Sequence, residues 1–229
     1  DDFIENNTQR IRILEEMVQF IYREWFVNYR FPGHECIRLV KSELGLVPEG
    51  WVVCSLHDDI EPIKGLSYKG AGLSDSGIPL HNLNSVLEGG GYKFTGLKYY
   101  TGDFQEKHKL LPGDIIVTNT EQGHEYRLIG FPAIVPKCFG TVGIFSHHIF
   151  RVRPLPSSYV SRFFVYYLLM TENVRNQIIS YANGTTINML SIEGLKSPKF
   201  VKPPKNLIES FDCIASPIFD LIESYRERN

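Results

Sequence analysis

The sequence has few cysteines, no long apolar run and no large excess of one charge. Its four cysteines lie far apart and include no CxxC pair, which excludes a disulfide framework and a cysteine-based zinc site. No apolar stretch approaches the ~20 residues of a membrane-spanning helix, and no signal peptide is visible. These absences predict a cytoplasmic protein with reduced thiols.

Motifs of known catalytic sites are also missing. The chain has no P-loop, no GxSxG and no HExxH. The pairs His34-Glu35 and His124-Glu125 have no third ligand at metal spacing. His147-His148 is predicted to lie in a strand, where successive side chains point to opposite faces and cannot share one ion. We therefore predict neither catalytic nor metal-binding residues.

Charge is unevenly distributed although the net charge is only −2. Residues 1–46 have 6 Lys and Arg against 8 Asp and Glu, and residues 206–229 have 2 against 5. Residues 47–205 have 16 against 13, a net charge of +3. A mildly basic middle between acidic ends permits a phosphate-facing surface.

The first segment has the spacing of a coiled-coil helix. Its predicted seam consists of Ile4, Ile11, Leu14, Val18, Ile21 and Trp25, with Asn7 as the polar interior position. The steps of three and four residues define a narrow stripe, which favours packing on another helix over packing on a central domain. Pro32-Gly33 ends the helix.

The last segment repeats this pattern. After Pro203-Pro204, which suits a helix start, the predicted seam consists of Leu207, Phe211, Ile214, Ile218, Leu221 and Tyr225. Pro217 lies within the pattern and predicts a kink or break. The two helices are expected to pair as an antiparallel coiled coil, with packing of each on the central domain as the alternative.

The middle segment mixes strand and helix periods and predicts an α+β domain with a mixed sheet. Short apolar runs predict strands at 51–56, 78–83, 114–118, 133–135 and 199–202, and the partly alternating stretch 142–152 predicts another. A helix is predicted after Ser157 or Ser158, with Gly184 as its stop, and a short helical turn begins at Ser191. Residues 64–77 and 87–109 are predicted to be long loops, and loops of that length are usually functional.

The loops of this middle segment are rich in side chains that contact nucleic acids. Lys64, Tyr68 and Lys69 alternate with glycines, and Lys93, Lys98 and Tyr99 form a second group. The run 119–124 offers amides, hydroxyls and imidazole that donate to or accept from base edges. Ordinary solvent-exposed loops can have the same composition, so these residues alone leave the two interpretations open.

Several longer stretches resemble one protein family. ILEEMVQFIYREWFVNYRFPGHE (13–35) and SELGLVPEGW (42–51) resemble the specificity (S) subunit of type I restriction-modification systems, at the end of a conserved spacer helix and the entry to a target recognition domain. Later stretches are similar to successive landmarks of that domain: GIPLHNLNSV (77–86), LLPGDIIVTNTEQG (110–123), LIGFPAIVP (128–136) and ANGTTINMLSIEGLKSPKFVKPP (182–204). The resemblance spans nearly the whole chain.

The resemblance implies a domain organisation. Residues 1–30 are expected to be the end of the spacer helix, 31–46 a linker, 47–204 the DNA target recognition domain and 205–229 the start of a second conserved helix. The family's S subunit has two such domains, so we expect this chain to be its C-terminal half, either a cut fragment or a natural half-subunit.

The resemblance also implies a function without catalysis. Such a chain recognises one half of a bipartite target on double-stranded DNA and positions modification (M) and restriction (R) subunits. S-adenosylmethionine, ATP and Mg then belong to the partner subunits, and this chain needs no cofactor. Its other partner is the second half of the S subunit or a second copy, and the location is the prokaryotic cytoplasm.

Candidate DNA-binding residues combine the polar loops with the family's landmarks. They are Lys64, Tyr68, Lys69, His81, Asn82, Lys93, Lys98, Tyr99, Asn119, Thr120, Gln122, His124, Arg127, Asn183, Thr185 and Thr186.

Two other functions remain open: the recognition end of a single-chain restriction–methylation enzyme, and a coiled-coil assembly module that reads no sequence. The half-site bases, the spacer length and the oligomeric state do not follow from the sequence.

Overall fold

A computed structural model describes residues 2–123, 125–184 and 187–228. Its described residues form five α-helices: α1 Asp2–Tyr22, α2 Arg162–Met170, α3 Glu172–Ser180, α4 Ile192–Lys196 and α5 Lys205–Arg226. A π-helical turn, Arg23–Val27, continues α1. The single helix predicted from Ser157 or Ser158 to Gly184 is divided into α2 and α3, because the extended backbone of Thr171 ends one helix and begins the other. Helix α2 also begins later than predicted, because Ser161 is its N-cap and its side-chain oxygen accepts from the Phe164 N–H at 3.0 Å.

Fifteen strands are found among the described residues. They are β1 Leu39–Ser42, β2 Gly45–Pro48, β3 Val52–Ser55, β4 Ile60–Lys64, β5 Leu73–Ser74, β6 Ile78–His81, β7 Lys98–Tyr100, β8 Lys109–Leu110, β9 Ile115–Thr118, β10 Thr120–Gln122, β11 Pro132–Ile134, β12 Gly143–Phe145, β13 Ile149–Pro154, β14 Ile187–Met189 and β15 Lys199–Lys202. The predicted strands overlap β3, β6, β9, β11 and β15. The stretch 142–152 divides into two strands with a turn between them.

These strands form two larger sheets and three two-stranded ribbons within the described part of the chain. One sheet has the order β11-β9-β13-β4 and is antiparallel throughout. The other has the order β5-β7-β6-β12-β8 and is mixed, because β12 pairs parallel with β6 and antiparallel with β8. The ribbons are β1-β2, β3-β15 and β10-β14. The predicted α+β class with a mixed sheet is confirmed.

The core is layered around the antiparallel sheet. Ile115 and Val117 on one face of β9 pack in a cluster with the helices, while Ile116 on the other face packs in a cluster toward the mixed sheet. This double coverage explains why every residue of β9 is buried. A third, small cluster around Leu80 and Ile144 covers the far face of the mixed sheet.

Helices α1 and α5 lie side by side and run antiparallel. The ring centroids of Tyr22 and Phe211 are 5.6 Å apart, and the Arg10 guanidinium lies 5.6 Å from the centroid of the Tyr225 ring. Tyr22 at the end of α1 thus lies near the first half of α5, whereas Arg10 lies near the end of α5. The two helices therefore point in opposite directions. Tyr22 also stacks on Tyr167 of α2, so the pair packs against the rest of the chain as well.

The predicted seam residues are partly displaced from the buried stripe. On α1, Val18 is fully buried and Ile11, Leu14 and Ile21 are half-buried, but Ile4 is 48% exposed and the prediction for it is wrong. Trp25, in the π-helical turn, is half-buried. On α5, Leu207 and Phe211 are buried and Ile214 and Ile218 are half-buried, but Leu221 is 42% exposed and Ile222 is fully buried. The prediction for Leu221 is wrong because α5 packs on α2 as well as on α1, which widens and turns its buried stripe. The helix also continues through Pro217, which lies on an exposed side.

Candidate nucleic-acid interface

The ribbon β10-β14 presents one polar-apolar face. Thr120 is opposite Met189 and Gln122 is opposite Ile187. Directly opposed side chains of an antiparallel pair lie on the same face, so these four residues form one surface, here called the ribbon face. Ile187 is 55% exposed, Met189 is 50% exposed and Gln122 is exposed, whereas Thr120 is buried. The ribbon face therefore offers an amide beside two uncovered apolar side chains.

The opposite face of the ribbon anchors it to the domain. The buried Glu121 carboxylate accepts hydrogen bonds from the backbone N–H groups of Arg127, Leu128 and Ile129 at 2.8, 3.0 and 2.8 Å. The Asn188 side chain donates to the Gly123 carbonyl. The three hydrogen bonds to the Glu121 carboxylate are charge-assisted, and such bonds are among the stronger ones in proteins. They fix the loop that follows β10 and thereby the position of the ribbon.

Arg175 of α3 supports the same loop from below. Its guanidinium donates to the carbonyls of Ile129 and Tyr126, the latter at 2.9 Å, and lies 3.5 Å from the centroid of the Phe131 ring. Burial lowers the pKa of Arg175 to about 10, and the nearby Glu121 carboxylate partly offsets this effect. Tyr126 has a φ of 52°, in the left-handed region that non-glycine residues rarely adopt. These contacts hold that backbone.

The His147-His148 pair differs from its prediction. Both residues lie in the turn between β12 and β13, and their ring centroids are 3.9 Å apart. The prediction that the rings point to opposite faces is therefore wrong, because a turn, unlike a strand, does not alternate its side chains. Thr120 Oγ1 lies 3.0 Å from His148 Nδ1, so this turn adjoins the ribbon face.

Asn119 connects the turn to the ribbon. Its backbone N–H donates to the His148 carbonyl and its Nδ2 donates to the His147 carbonyl, both at 3.0 Å. Among the described residues, Asn119 Oδ1 and His147 Nδ1 are buried without a hydrogen-bond partner. The pKa of His148 is lowered by burial, then by His147 and Lys64, so the exposed Lys64 lies within electrostatic reach of the turn.

Four candidate DNA-binding residues are buried and have internal roles instead. His81 is buried, and its Nδ1 lies 2.8 Å from the Tyr92 hydroxyl. The Asn82 side chain accepts from the Asn84 N–H at 2.8 Å and caps a short turn. Asn119 is buried beneath the ribbon. Thr120 is buried as well, with its Oγ1 3.0 Å from His148 Nδ1. Direct DNA contact by His81, Asn82, Asn119 and Thr120 is not supported, because other protein groups cover these side chains.

The structure divides the remaining described candidates among several places. Lys64 adjoins the turn that contains His147 and His148, and Asn183 is exposed at a bridge to Met189 beside the ribbon. Lys98 and Tyr99 lie on β7 of the mixed sheet, while the exposed Lys69 and the half-buried Tyr68 lie between β4 and β5. Tyr68 packs near Tyr100, with ring centroids 6.1 Å apart.

Two other candidates lie in different surroundings. Lys93 is exposed, but its neighbour Phe94 lies 5.1 Å beneath the Arg226 guanidinium at the end of α5. Arg127 forms ion pairs with Glu125 at 2.8 Å and Glu88 at 3.8 Å. His124, Thr185 and Thr186 lie outside the described residues.

Sequence reasoning missed four residues of this surface: His147, His148, Ile187 and Met189. The two short alternating runs 120–122 and 187–189 contain a weak signal, but nothing in the sequence shows that they pair across more than sixty residues.

Metal and membrane features are not found in the described part of the chain. Residues 2–123, 125–184 and 187–228 contain no group of three His, Cys, Asp or Glu residues placed to hold a metal ion. Within the same ranges, no helix combines the length and apolar character that a membrane span requires.

Comparison with known proteins gives one informative curated relative. It is the type I restriction enzyme MjaIX specificity subunit of Methanocaldococcus jannaschii, 23% identical over 230 residues, which cover 97% of this chain and 50% of the relative. The resemblance to type I specificity subunits is confirmed. No protein-family model matches the chain.

Solved structures of type I systems share the fold. A chain from a study of the assembly and conformational transition of a type I R-M system matches 98% of this chain and 50% of its own length, with a TM-score of 0.53 at 15% identity. The HsdS subunit of Thermoanaerobacter tengcongensis matches 99% of this chain and 48% of its own length, with a TM-score of 0.53 at 14% identity. This chain spans about half the length of the specificity subunits it matches.

Proposed function

We propose that this chain is part of a type I specificity subunit. It is not catalytic, and it reads one half of a bipartite DNA target. The observation that carries the proposal is the similarity to a type I specificity subunit over 97% of the chain. In this proposal the chain acts in the cytoplasm, and methylation and cleavage belong to partner subunits that bind S-adenosylmethionine, ATP and Mg.

The surface around the ribbon supports DNA reading. Gln122 offers an amide that pairs bidentately with adenine, and the exposed Lys64 offers a charge for phosphate. Lys98, on β7 of the mixed sheet, and Lys69, between β4 and β5, are further exposed cations. Residues 47–205 have a net charge of +3, which favours a polyanionic partner more than the acidic ends do.

The helix pair is proposed to act as a spacer between two half-sites. Antiparallel packing of α1 and α5 supports an extended coiled coil in the intact specificity subunit. A second recognition domain, from the other half of the subunit or a second copy, would then lie at a fixed distance. In DNA readers with paired sites, protein spacing sets the spacing of half-sites in the same way.

The outer side of α1 is proposed to dock the modification subunit. Ile13, Met17 and Phe20 follow one another at steps of four and three residues and are all exposed. Residues at this spacing share one helix face. A continuous apolar stripe on a helix surface marks a protein contact more often than a solvent-facing side. Restriction subunits are proposed to join through this assembly.

The proposal is tested by selecting random duplex DNA with the specificity subunit assembled with its modification subunit. We expect enrichment of two short motifs with a fixed spacer, and Gln122→Ala should relax the preference at one position. Losing a bidentate base contact costs about 1–3 kcal/mol. The control is Asn176→Ala, since Asn176 is an exposed amide on α3. An intact assembly that enriches no motif would instead support an assembly module.

A further inference from the structure

Two apolar side chains on the ribbon face are about half exposed: Ile187 at 55% and Met189 at 50%. Ile187 and Met189 are two positions apart on β14, so both point to the same side. Exposing apolar side chains next to each other forgoes the stabilisation that burial gives, about 25 cal/mol per Å² of apolar surface. The Ile187 and Met189 side chains are therefore suited to contact an apolar surface on a partner.

The polar groups beside them narrow the chemistry of that partner. Gln122, opposite Ile187, has both a donor and an acceptor on its amide. Thr120, opposite Met189, is buried against His148, and the exposed Lys64 stands within electrostatic reach of that turn. The partner surface must offer an adjacent donor and acceptor, an apolar group within a few ångströms, and negative charge nearby.

An A·T base pair presents this combination in the major groove of DNA. Adenine offers the N7 acceptor and the N6 donor, which match an amide, and thymine offers the C5 methyl group. The groove is about 12 Å wide and admits a two-stranded β-ribbon. A G·C pair has no methyl group and presents different donors and acceptors to the amide.

We propose that the β10-β14 ribbon enters the major groove and reads an A·T base pair of the half-site. Gln122 pairs with the adenine, and Ile187 or Met189 contacts the thymine methyl group. The inference rests on the proposed function and assigns it a contact surface. The anchoring of the ribbon through Glu121 and Asn188 suits this role, because the contact requires a fixed backbone.

The experiment changes single functional groups of the DNA bases within the selected half-site. Each thymine is changed in turn to deoxyuridine, which lacks only the methyl group, and binding of the assembled subunit is measured. We expect one position at which affinity falls about fourfold, the value of one buried methyl group at ~0.8 kcal/mol. Ile187→Ala or Met189→Ala should bind more weakly and should no longer distinguish thymine from uracil at that position.

A second replacement tests the amide. The adenine of the same pair is changed to 7-deazaadenine, which lacks the N7 acceptor. This change should weaken binding by the wild-type subunit and leave Gln122→Ala unaffected, because the variant has already lost the contact. Val52→Ala serves as the matched control, since Val52 is a 61% exposed apolar residue on β3. It should keep the full response to both replacements.

Three results would overturn the inference. Deoxyuridine at every thymine could leave the wild-type affinity unchanged. The Ile187 and Met189 variants, singly and combined, could keep the full response to uracil. They could also lose assembly with the modification subunit while DNA contacts persist, which would make the ribbon a protein contact. All three leave the selected motif in place, whereas failure of the proposed function would yield no motif at all.

Discussion

At the scale of single residues, Glu121 shows how this surface is held. One buried carboxylate accepts three backbone N–H groups from the loop 127–129, and it lies behind the ribbon face rather than on it. A backbone N–H that is buried without an acceptor costs free energy comparable to a lost hydrogen bond. The positions of the exposed residues on the ribbon face thus depend on Glu121, a buried residue that lies on the opposite face.

Glu121→Gln should lower the free energy of unfolding by about 1.5–3 kcal/mol, because an amide replaces a charged acceptor with one acceptor and one donor group. Urea unfolding followed by fluorescence measures the change. The control is Glu125→Gln, in the same loop, whose exposed side chain pairs only with Arg127 among the described residues. Equal stability of the two variants would contradict the anchoring role of Glu121.

His81 predicts a pH dependence of stability. Burial lowers its pKa from 6.5 to about 4, so the folded protein keeps the ring neutral where the unfolded chain already takes up a proton. The unfolded state therefore binds more protons between these values, and stability falls as the pH falls from about 6.5 to about 4. The contribution of this one group is about 1.4 kcal/mol per pH unit in that window.

Stability of the wild type and of His81→Gln across this window isolates the contribution of His81. The variant should lose this part of the slope, although it also weakens the contact with Tyr92. An NMR titration of the His81 ring gives an independent readout. A ring that titrates near 6.5 in the folded protein would contradict the account.

At the scale of elements, the phase of α5 is the most informative feature. A heptad pattern predicts Leu221 inside, whereas the structure buries Ile222 and leaves Leu221 42% exposed. Contacts with two neighbours cause this difference: Phe211 packs near Tyr22 of α1, and Phe219 stacks on Phe163 of α2 at 4.5 Å. A helix between two partners buries a wider stripe than a two-stranded seam.

Adjacent alanine substitutions distinguish the two phases. Ile222→Ala should cost about 2–5 kcal/mol of stability, as expected for a large apolar residue in a packed core. Leu221→Ala should change stability by no more than about 0.5 kcal/mol, as surface substitutions usually do. Thermal or urea unfolding of both variants measures the pair. A larger loss for Leu221→Ala would restore the heptad phase.

Local signals predicted those elements whose causes are local. The β15 strand, the turn at Ser191 and the start of α5 after Pro204 follow from neighbouring residues. The helical phase of α1 and α5 and the pairing of the strands depended on contacts between residues distant in sequence. The π-helical turn at 23–27 changes the helical phase after Tyr22. Phe26 therefore joins Tyr22 in the core, while Trp25 stays half-buried.

The candidate site shows the same division. The exposure of the lysines and of Gln122 could be predicted from composition, because charged and amide side chains usually stay accessible. His81, Asn82 and Asn119 have the same polar chemistry, but their burial depends on which strands surround them. The pairing of 120–122 with 187–189 joins segments that no periodicity relates. The ribbon face could therefore be found only from the fold.

At the scale of the whole molecule, the proposal separates target reading from spacing. The layered domain presents the ribbon, and the α1-α5 pair packs on the same core through Tyr22, Phe164 and Phe211. A rigid connection of this kind would transmit the position of the helices to the ribbon. Changing the domain should then alter the bases that are read without altering the distance between half-sites.

The measurement that tests this most directly is the methylation pattern of an intact type I complex in which residues 47–204 are exchanged for another recognition domain. Sequencing of the modified adenines, before and after the exchange, gives both half-sites and their spacer. We predict that one half-site changes while the other half-site and the spacer length stay the same. A complex that remains active with both half-sites unchanged, or with both altered, would contradict the claim that this chain reads one half of the target.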